Sequence, residues 1–191
     1  LIPVFMLFIC YYVYWFVRIL QKMKEEKLFP VSDEERLAIR KYPQKAVDIP
    51  VYSSQKTGII AYSFLIIFFI SVLILLVSNE EIDFSIFLLL LIPSLHVNDL
   101  FNMFAIVDDG VLDGRRFIPW KRIKSFQFVP IDLNHKYYGY EKEVNDSYEL
   151  VLKTNFFSAS CIVTSVEIKE KLGKLLLEHG IKEKAGGKEN G

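Results

Sequence analysis

The sequence contains few of the residues that build disulfide frameworks and metal sites. Its 191 residues include two cysteines and three histidines. Cys10 lies in an apolar block and Cys161 in a strand-like run, and we interpret each as a small hydrophobic residue. No spacing of Cys and His indicates a metal centre. The sequence therefore predicts neither a disulfide framework nor a metal site.

Two further absences narrow the functional class. The 23 Lys and Arg residues balance 23 Asp and Glu residues, so no basic excess favours nucleic acid as a partner. The sequence has no G-x-S-x-G, H-E-x-x-H, phosphate-binding P-loop or C-x-x-C motif. The pair Asp108-Asp109 precedes Gly110 and is typical of a turn rather than of acid–base chemistry. We therefore predict a protein with no enzymatic activity and no cofactor.

What the chain has in excess is apolar sequence. Hydrophobic residues make up 52%, with 16 Phe, and they concentrate in the blocks 1–17, 58–77 and 84–97. The first two blocks contain no charge, whereas a soluble core of this size would interleave polar residues, so bilayer spans are indicated. Block 58–77 would form a helix of about 30 Å at about 1.5 Å per residue, the thickness of the hydrocarbon layer.

The first and third blocks need separate arguments. Block 1–17 ends in Tyr and Trp residues before Arg18, which is typical of a membrane interface. A secretory signal peptide is the alternative, but the block lacks a basic start and an A-x-A cleavage site. The third block is extended to residue 101, and the six residues 78–83 would close a helical hairpin. The sequence thus predicts three transmembrane helices.

Their orientation follows from the distribution of Lys and Arg. Residues 18–57 contain nine, the hairpin 78–83 contains none, and the part after residue 100 contains fourteen. Because cytoplasmic loops are enriched in these residues, we predict an outside N-terminus, a cytoplasmic 18–57 segment, an extracellular hairpin and a cytoplasmic C-terminal domain. The protein would be a multi-pass protein of the plasma membrane.

Residues 18–57 are predicted to be a solvated cytoplasmic segment with one short helix. Ser32, followed three residues later by Glu35, forms a capping-box pattern, which would start a helix near 33–41 that Pro43 ends. The alternative is an interfacial element whose basic residues contact anionic headgroups.

A polar cluster follows Pro93 at the inner end of the third block. His96, Asn98 and Asp99 lie close together there. Ionisable residues within a membrane often mark transport or proton pathways. These three lie near the interface, however, and finishing the helix is the simpler interpretation.

From residue 102 the pattern changes to short alternating strands. The run 103–107 is followed by turn signals at Gly110 and Gly114, and further strand-like runs occupy 148–154 and 159–165. Pro119 predicts an edge strand or a bulge. In 166–180, the apolar residues fall on one helical face; they are Ile168, Leu172, Leu175 and Leu176. The domain is predicted over 102–182 as a small antiparallel sheet closed by this amphipathic helix, with a disordered tail at 183–191.

The layout resembles that of bacterial PH-like domains that follow a membrane hairpin, including the YcxB-like proteins. Gly110 matches their turn glycine, and Trp120 and Ile123 match their W-x-x-I motif. The resemblance covers residues 58–182 and excludes the first span. It implies a PH-like fold in a bacterial membrane protein, and some members of such families resemble immunity proteins against membrane-active bacteriocins.

The stretch FIPWKRI at 117–123 contains the candidate site. We interpret Trp120 and Ile123 as residues of the domain core. Four basic residues around them would contact anionic lipid headgroups or a protein partner; they are Arg115, Arg116, Lys121 and Arg122. The predicted function is a non-enzymatic membrane protein whose PH-like domain mediates such binding, with bacteriocin immunity as one form. The alternative is a transporter or channel accessory subunit that uses His96, Asn98 and Asp99 and would have to oligomerise.

Overall fold

The computed structural model describes residues 2–78 and 100–184. It is a mixed α and β structure that divides into two compact units. The helical unit contains Leu1–Glu25, Pro50–Phe101 and Gly114–Arg116, and the β unit contains Glu26–Ile49, Asn102–Asp113 and Phe117–Gly191. The predicted hairpin and most of the predicted third span, with His96, Asn98 and Asp99, lie outside the described residues.

Among the described residues, the helical unit contains two long apolar helices. Helix α1 is Ile2–Lys22 and continues past Arg18, where the apolar block 1–17 ends, whereas the helix over the second block is Lys56–Ser78. Both are long and apolar enough to cross a membrane by length and composition. Only 22% of the apolar window in the first and 11% in the second is buried, whereas the core helix of a soluble protein is mostly buried.

Aromatic contacts fix the direction in which these helices pack. Phe5 lies edge-on to Phe69, with ring centroids 6.4 Å apart, and Phe16 stacks on Tyr62 at 4.7 Å. Because the residue number rises along one helix as it falls along the other, the helices are antiparallel. At the start of the Lys56–Ser78 helix, a Cβ on Gly58 would collide with the carbonyl oxygen of Leu100 and lie 2.9 Å from the Phe101 ring. Glycine is therefore required where the chain returns to this helix.

The β unit has two sheets. The four-stranded sheet has the order β1 (Lys27–Phe29), β4 (Phe104–Val107), β5 (Gly110–Asp113) and β6 (Arg116–Pro119). Its two-residue turn Asp108-Asp109 lies where the turn signal predicted one. Strand β6 lies at the edge of this sheet, as the proline at its end predicted.

The six-stranded sheet combines distant parts of the chain. Its order is β10 (Lys182–Glu183), β7 (Ser125–Pro130), β8 (Tyr148–Lys153), β9 (Ser158–Val163), β2 (Ile39–Tyr42) and β3 (Lys45–Ala46). All its pairings are antiparallel except that of β10 with β7. One core lies beneath both sheets, and its fully buried members include Phe29, Ile39, Phe104 and Leu150.

The C-terminal amphipathic helix was predicted correctly. It is Val166–Glu178, and Ser165 caps it by accepting a hydrogen bond from the Ile168 amide at 3.4 Å. Leu172 and Leu176 are buried in the core, and Ile168 and Leu175 pack against it. Gly180, at φ 77°, follows the last turn, where a left-handed residue commonly ends a helix.

Residues 18–57 are not a separate solvated segment. The capping box is confirmed, since Ser32 accepts from the Glu35 amide at 3.3 Å and Glu35 accepts from the Val31 amide at 2.7 Å. The helix that it starts, α2, is Asp33–Leu37, so the prediction of a helix near 33–41 was wrong beyond Leu37. The reason is tertiary pairing, because residues 39–42 form β2 against β9.

The domain predicted to begin at residue 102 therefore lacks part of its fold, which residues 26–49 supply. Strand β1 pairs with β4, and β2 with β9, so residues 26–49 complete both sheets. Three ion pairs join this segment to the later part of the unit; they are Lys41–Asp113, Arg40–Glu143 and Glu35–Lys171. The start predicted for the disordered tail, residue 183, is also too early, because Glu183 in β10 pairs with Phe126 in β7.

Candidate functional site

The cytoplasmic end predicted for α1 carries a cluster of aromatic and basic side chains. The Arg18 guanidinium lies 5.9 Å from the centroid of the Tyr14 ring and 5.6 Å from that of Trp15. It also donates a hydrogen bond to the Tyr14 hydroxyl at 2.8 Å. Tyr, Trp and Arg favour the headgroup level of a bilayer, where an amphipathic ring and a cation are both solvated. The arrangement is typical of a membrane interface.

The structure divides the four predicted basic contact residues between the two units. Arg115 and Arg116 belong to the helical unit, where the Arg115 guanidinium lies 5.6 Å from the centroid of the Tyr12 ring. Lys121 and Arg122 belong to the β unit, in the 3₁₀ turn Trp120–Arg122. Both are exposed, and neither forms an ion pair within the part of the chain described. Lys121 and Arg122 are thus the pair with unengaged charge.

The two aromatic and aliphatic residues of the same stretch have different environments. Ile123 is 6% exposed and belongs to the core of the β unit. Trp120 is only partly buried, and it lies in the 3₁₀ turn rather than in a strand. Its Nε1 donates to the Asp108 carbonyl at 2.8 Å, and its ring stacks on His179 at 4.2 Å. Trp120 therefore links the β4–β5 turn to the end of the C-terminal helix.

Sequence reasoning missed a charge cluster in which two residues of the loop 131–147 contact the buried Glu149 of β8. Glu149, 4% exposed, accepts from His135 Nε2 at 3.0 Å, and its other carboxylate oxygen lies 2.9 Å from Lys136 Nζ. His135 Nδ1 accepts from the Tyr137 amide at 3.2 Å, so Nε2 carries the proton. Burial alone would lower the pKa of Lys136, but the hydrogen bond and charge of Glu149 outweigh it and raise that pKa.

This cluster holds the loop 131–147 against the sheet, and we call it the Glu149 clasp. Both ring nitrogens of His135 are engaged, which leaves neither oriented for proton transfer to a substrate. The loop that the cluster holds adds Ile131 and Val144 to a small apolar group over Ile162 of the sheet. The only signal in the sequence is a buried-strand glutamate within reach of a loop histidine, and that pairing depends on how the loop folds.

The two cysteines are free, one exposed on α1 and one buried in β9. Burial raises the pKa of Cys161 well above its ordinary value, and the nearby Asp113 carboxylate raises it further. A neutral, enclosed thiol is a poor nucleophile. Among residues 2–78 and 100–184, no group of three His, Cys, Asp or Glu side chains could hold a metal ion.

No protein-family model, curated protein or solved structure matches this chain.

Proposed function

We propose that this chain is a non-enzymatic, multi-pass membrane protein that holds its β unit at the inner membrane surface, where the unit binds anionic headgroups or a protein. The observation that carries the proposal is the pairing of strands from both sides of an apolar helix. Strands β1 and β2 precede the Lys56–Ser78 helix, here α3, and they pair with β4 and β9, which follow it.

Strand pairing constrains the membrane topology. Two halves of one sheet must lie on the same side of a bilayer, because an open strand edge is not tolerated in the hydrocarbon layer. If α3 crosses the bilayer, the chain must cross back before β4. The third span that we propose for residues 84–101 supplies this second crossing. All 23 Lys and Arg residues lie in 18–57 or after residue 100, and none lies in the hairpin 78–83, which favours the cytoplasmic side for the β unit.

Chain length is consistent with this return. From Gly58 to Ser78, α3 is about 30 Å long at about 1.5 Å per residue. Leu100 contacts the start of α3 at Gly58, so the chain after Ser78 must cover that distance again. The proposed third span, residues 84–101, would extend about 27 Å as a helix, and the hairpin residues between Ser78 and Phe84 would cover the remaining distance. A membrane-crossing helix is therefore long enough to close the path.

Labelling of single cysteines with a membrane-impermeant maleimide in intact bacterial cells tests the topology. A Cys10→Ala background would leave Cys161, whose buried thiol should not react. We expect Ser78→Cys to react from outside, and Leu133→Cys, at a position 78% exposed in the β unit, to react only after permeabilisation. Release of the wild-type chain from membranes by alkaline carbonate, or labelling of both sites in intact cells, would contradict the proposal.

Headgroup binding by the β unit rests on the exposed pair Lys121 and Arg122. One basic side chain near an anionic membrane contributes about 1 kcal/mol, and added salt screens it. Trp120 is adjacent and can report the contact. In a Trp15→Phe background in nanodiscs, quenching of Trp120 by headgroup-labelled nitroxide lipid should rise when phosphatidylglycerol is included.

Charge variants make that experiment specific. Lys121→Gln/Arg122→Gln should lose the increase in quenching, whereas Lys142→Gln/Lys174→Gln, which removes two charges from exposed positions, should retain it. The same quenching with and without phosphatidylglycerol would leave a protein as the partner. Immunity to a membrane-active peptide is the form that the PH-like resemblance favours, and unchanged killing of a sensitive strain that expresses the chain would exclude it for the peptide tested.

A further inference from the structure

A groove lies beside the interface end of the two long helices. It has a volume of about 470 Å³ and opens to the surface. Its lining residues are Leu20, Tyr52, Ser53, Lys56, Ile59 and Ile60. The Tyr52 hydroxyl donates a hydrogen bond to the Leu20 carbonyl at 2.6 Å, which holds the segment before α3 against the end of α1. Leu20, Ile59 and Ile60 make the floor apolar.

The charges at the mouth of the groove are positive. Lys56 is the last charged residue before the apolar length of α3, and it is exposed. Lys24 is also exposed, with its Nζ 5.8 Å from the centroid of the Tyr52 ring. Neither lysine forms an ion pair with any residue in 2–78 or 100–184. The neighbouring Lys22, in contrast, is paired with Glu25 at 2.7 Å.

We propose that this groove binds one anionic phospholipid, and this inference rests on the proposed insertion of α1 and α3 in a membrane. An acyl chain lies on Leu20, Ile59 and Ile60, and the phosphate and anionic headgroup lie between Lys24 and Lys56. The apolar floor fits a lipid rather than a free phosphate. Two unpaired lysines favour an anionic headgroup over a zwitterionic one.

The depth of the groove along α3 supports lipid binding as well as its charge does. Lys56 is the first residue of a helix of 23 residues that is uncharged from Gly58 onwards, and Tyr52 lies four residues before it. Both therefore belong at headgroup depth when α3 spans the bilayer. At that depth, the apolar floor of the groove would contact an acyl chain, and the lysines at its mouth would contact the anionic headgroup of the same phospholipid.

Native mass spectrometry of the full chain in mild detergent tests this site. The probes are dioleoylphosphatidylglycerol and dioleoylphosphatidylcholine, added separately and as an equimolar mixture. We expect the wild type to retain one phosphatidylglycerol in preference to phosphatidylcholine. Each lysine should contribute about a fivefold change in Kd, so Lys24→Gln/Lys56→Gln should weaken phosphatidylglycerol binding about 25-fold.

Matched variants separate this site from general lipid association. Lys142→Gln/Lys174→Gln removes the same charge elsewhere and should bind phosphatidylglycerol as the wild type does. Ile60→Trp should fill the groove with the lysines intact and reduce retention, whereas Ile74→Trp, at a similarly exposed position on α3, should not. Ile60→Trp also tests the site independently if the lysine variant misfolds.

Two results would overturn the inference. One is equal retention of the two lipids by the wild type, and the other is retention unchanged by both groove variants. These outcomes differ from failure of the proposed function, which would appear as release of the wild-type chain from membranes by carbonate. A chain that resists carbonate but shows no lipid preference would refute the groove site alone.

Discussion

Substituting Ile39 tests whether the segment 26–49 is an integral part of the β unit. Ile39 lies in β2, pairs with Val163 and is 0% exposed within the core. Leu37, two residues earlier, is 55% exposed on α2. The two side chains have similar size and lie in the same segment, so they form a matched pair. A solvated linker would tolerate the loss of either one.

The magnitude follows from burial. Truncation of a fully buried Ile to Ala costs about 2–5 kcal/mol, because the apolar contacts are lost and a cavity remains. An exposed substitution usually changes stability by about 0.5 kcal/mol or less. With a urea m-value of about 1.5 kcal/mol/M, a cost of about 3 kcal/mol lowers the unfolding midpoint by about 2 M. We expect that shift for Ile39→Ala and almost none for Leu37→Ala.

Trp120 makes the measurement specific for the β unit. The chain has two tryptophans, so a Trp15→Phe background leaves Trp120 as the reporter. Urea titration of the full chain in a mild maltoside detergent, followed by tryptophan emission, gives the midpoint for each variant. Equal midpoints for Ile39→Ala and Leu37→Ala would refute the assignment of residues 26–49 to the core.

Four further predictions concern two glycines, a helix cap and the charge cluster. A Cβ on Gly110 would collide with the Ile118 carbonyl and lie 2.9 Å from the Phe117 ring. Gly110→Ala should therefore lower the free energy of unfolding by about 1–3 kcal/mol, and with it the urea midpoint. Gly173→Ala, whose Cβ would make ordinary contact with Phe128 at 3.6 Å in a helix, should instead raise stability by up to about 1 kcal/mol. For Glu35, burial alone would raise the pKa, but the hydrogen bonds from Lys171 and from the Val31 and Ser32 region, with the charge of Lys171, lower it below the ordinary value. Its stabilisation is therefore present at neutral pH and lost as pH falls through the folded-state pKa, so the midpoint difference between wild type and Glu35→Gln should shrink from about pH 7 to about pH 3; a constant difference would contradict this. Glu149→Gln should weaken the clasp by about 1–3 kcal/mol and speed proteolysis within 131–147, and an unchanged cleavage rate there would contradict the role assigned to Glu149.

The elements that could be predicted from sequence have long, uninterrupted patterns. Ile168, Leu172 and Leu176 recur at helical spacing, and they lie on the buried face of the C-terminal helix. The strand runs near 148–154 and 159–165 are rich in apolar residues, bounded by turns, and adjacent in sequence, so their pairing is local. In such segments the local preference and the tertiary structure agree, and one sequence window carries the whole signal.

The strands before α3 could not be predicted, because they are short and their partners are remote in the sequence. Strands β1, β2 and β3 have three, four and two residues, which is too short for alternation to stand out from a linker. Their partners are remote, as shown by the Thr164 hydroxyl, which bonds the Ala38 carbonyl across 126 residues. Only packing against β4 and β9 makes these residues strands.

In the candidate site, single residues could be predicted from the sequence, but the way the fold groups them could not. Basic residues near a predicted interface are visible in the sequence, but their grouping is not, and Arg115 and Arg122 fall in different units. The Glu149 clasp and the groove at Tyr52 depend on a folded loop and on a bond between residues 32 positions apart. Neither follows a periodicity or motif that a single sequence displays.

The split origin of the β unit has a consequence for how the protein is made. Strands β1, β2 and β3 leave the ribosome before α3, yet β2 has no partner on its β9 side until residues 158–163 have been synthesised. On the proposed topology, the first half must therefore wait, with a strand edge unpaired, while the apolar segments insert into the membrane. A chain that made only one of the two proposed crossings would leave the two halves in different compartments, where they could never pair. On that topology, completion of the sheet would serve as an internal check on insertion, and misinserted chains would remain unfolded and open to proteolysis.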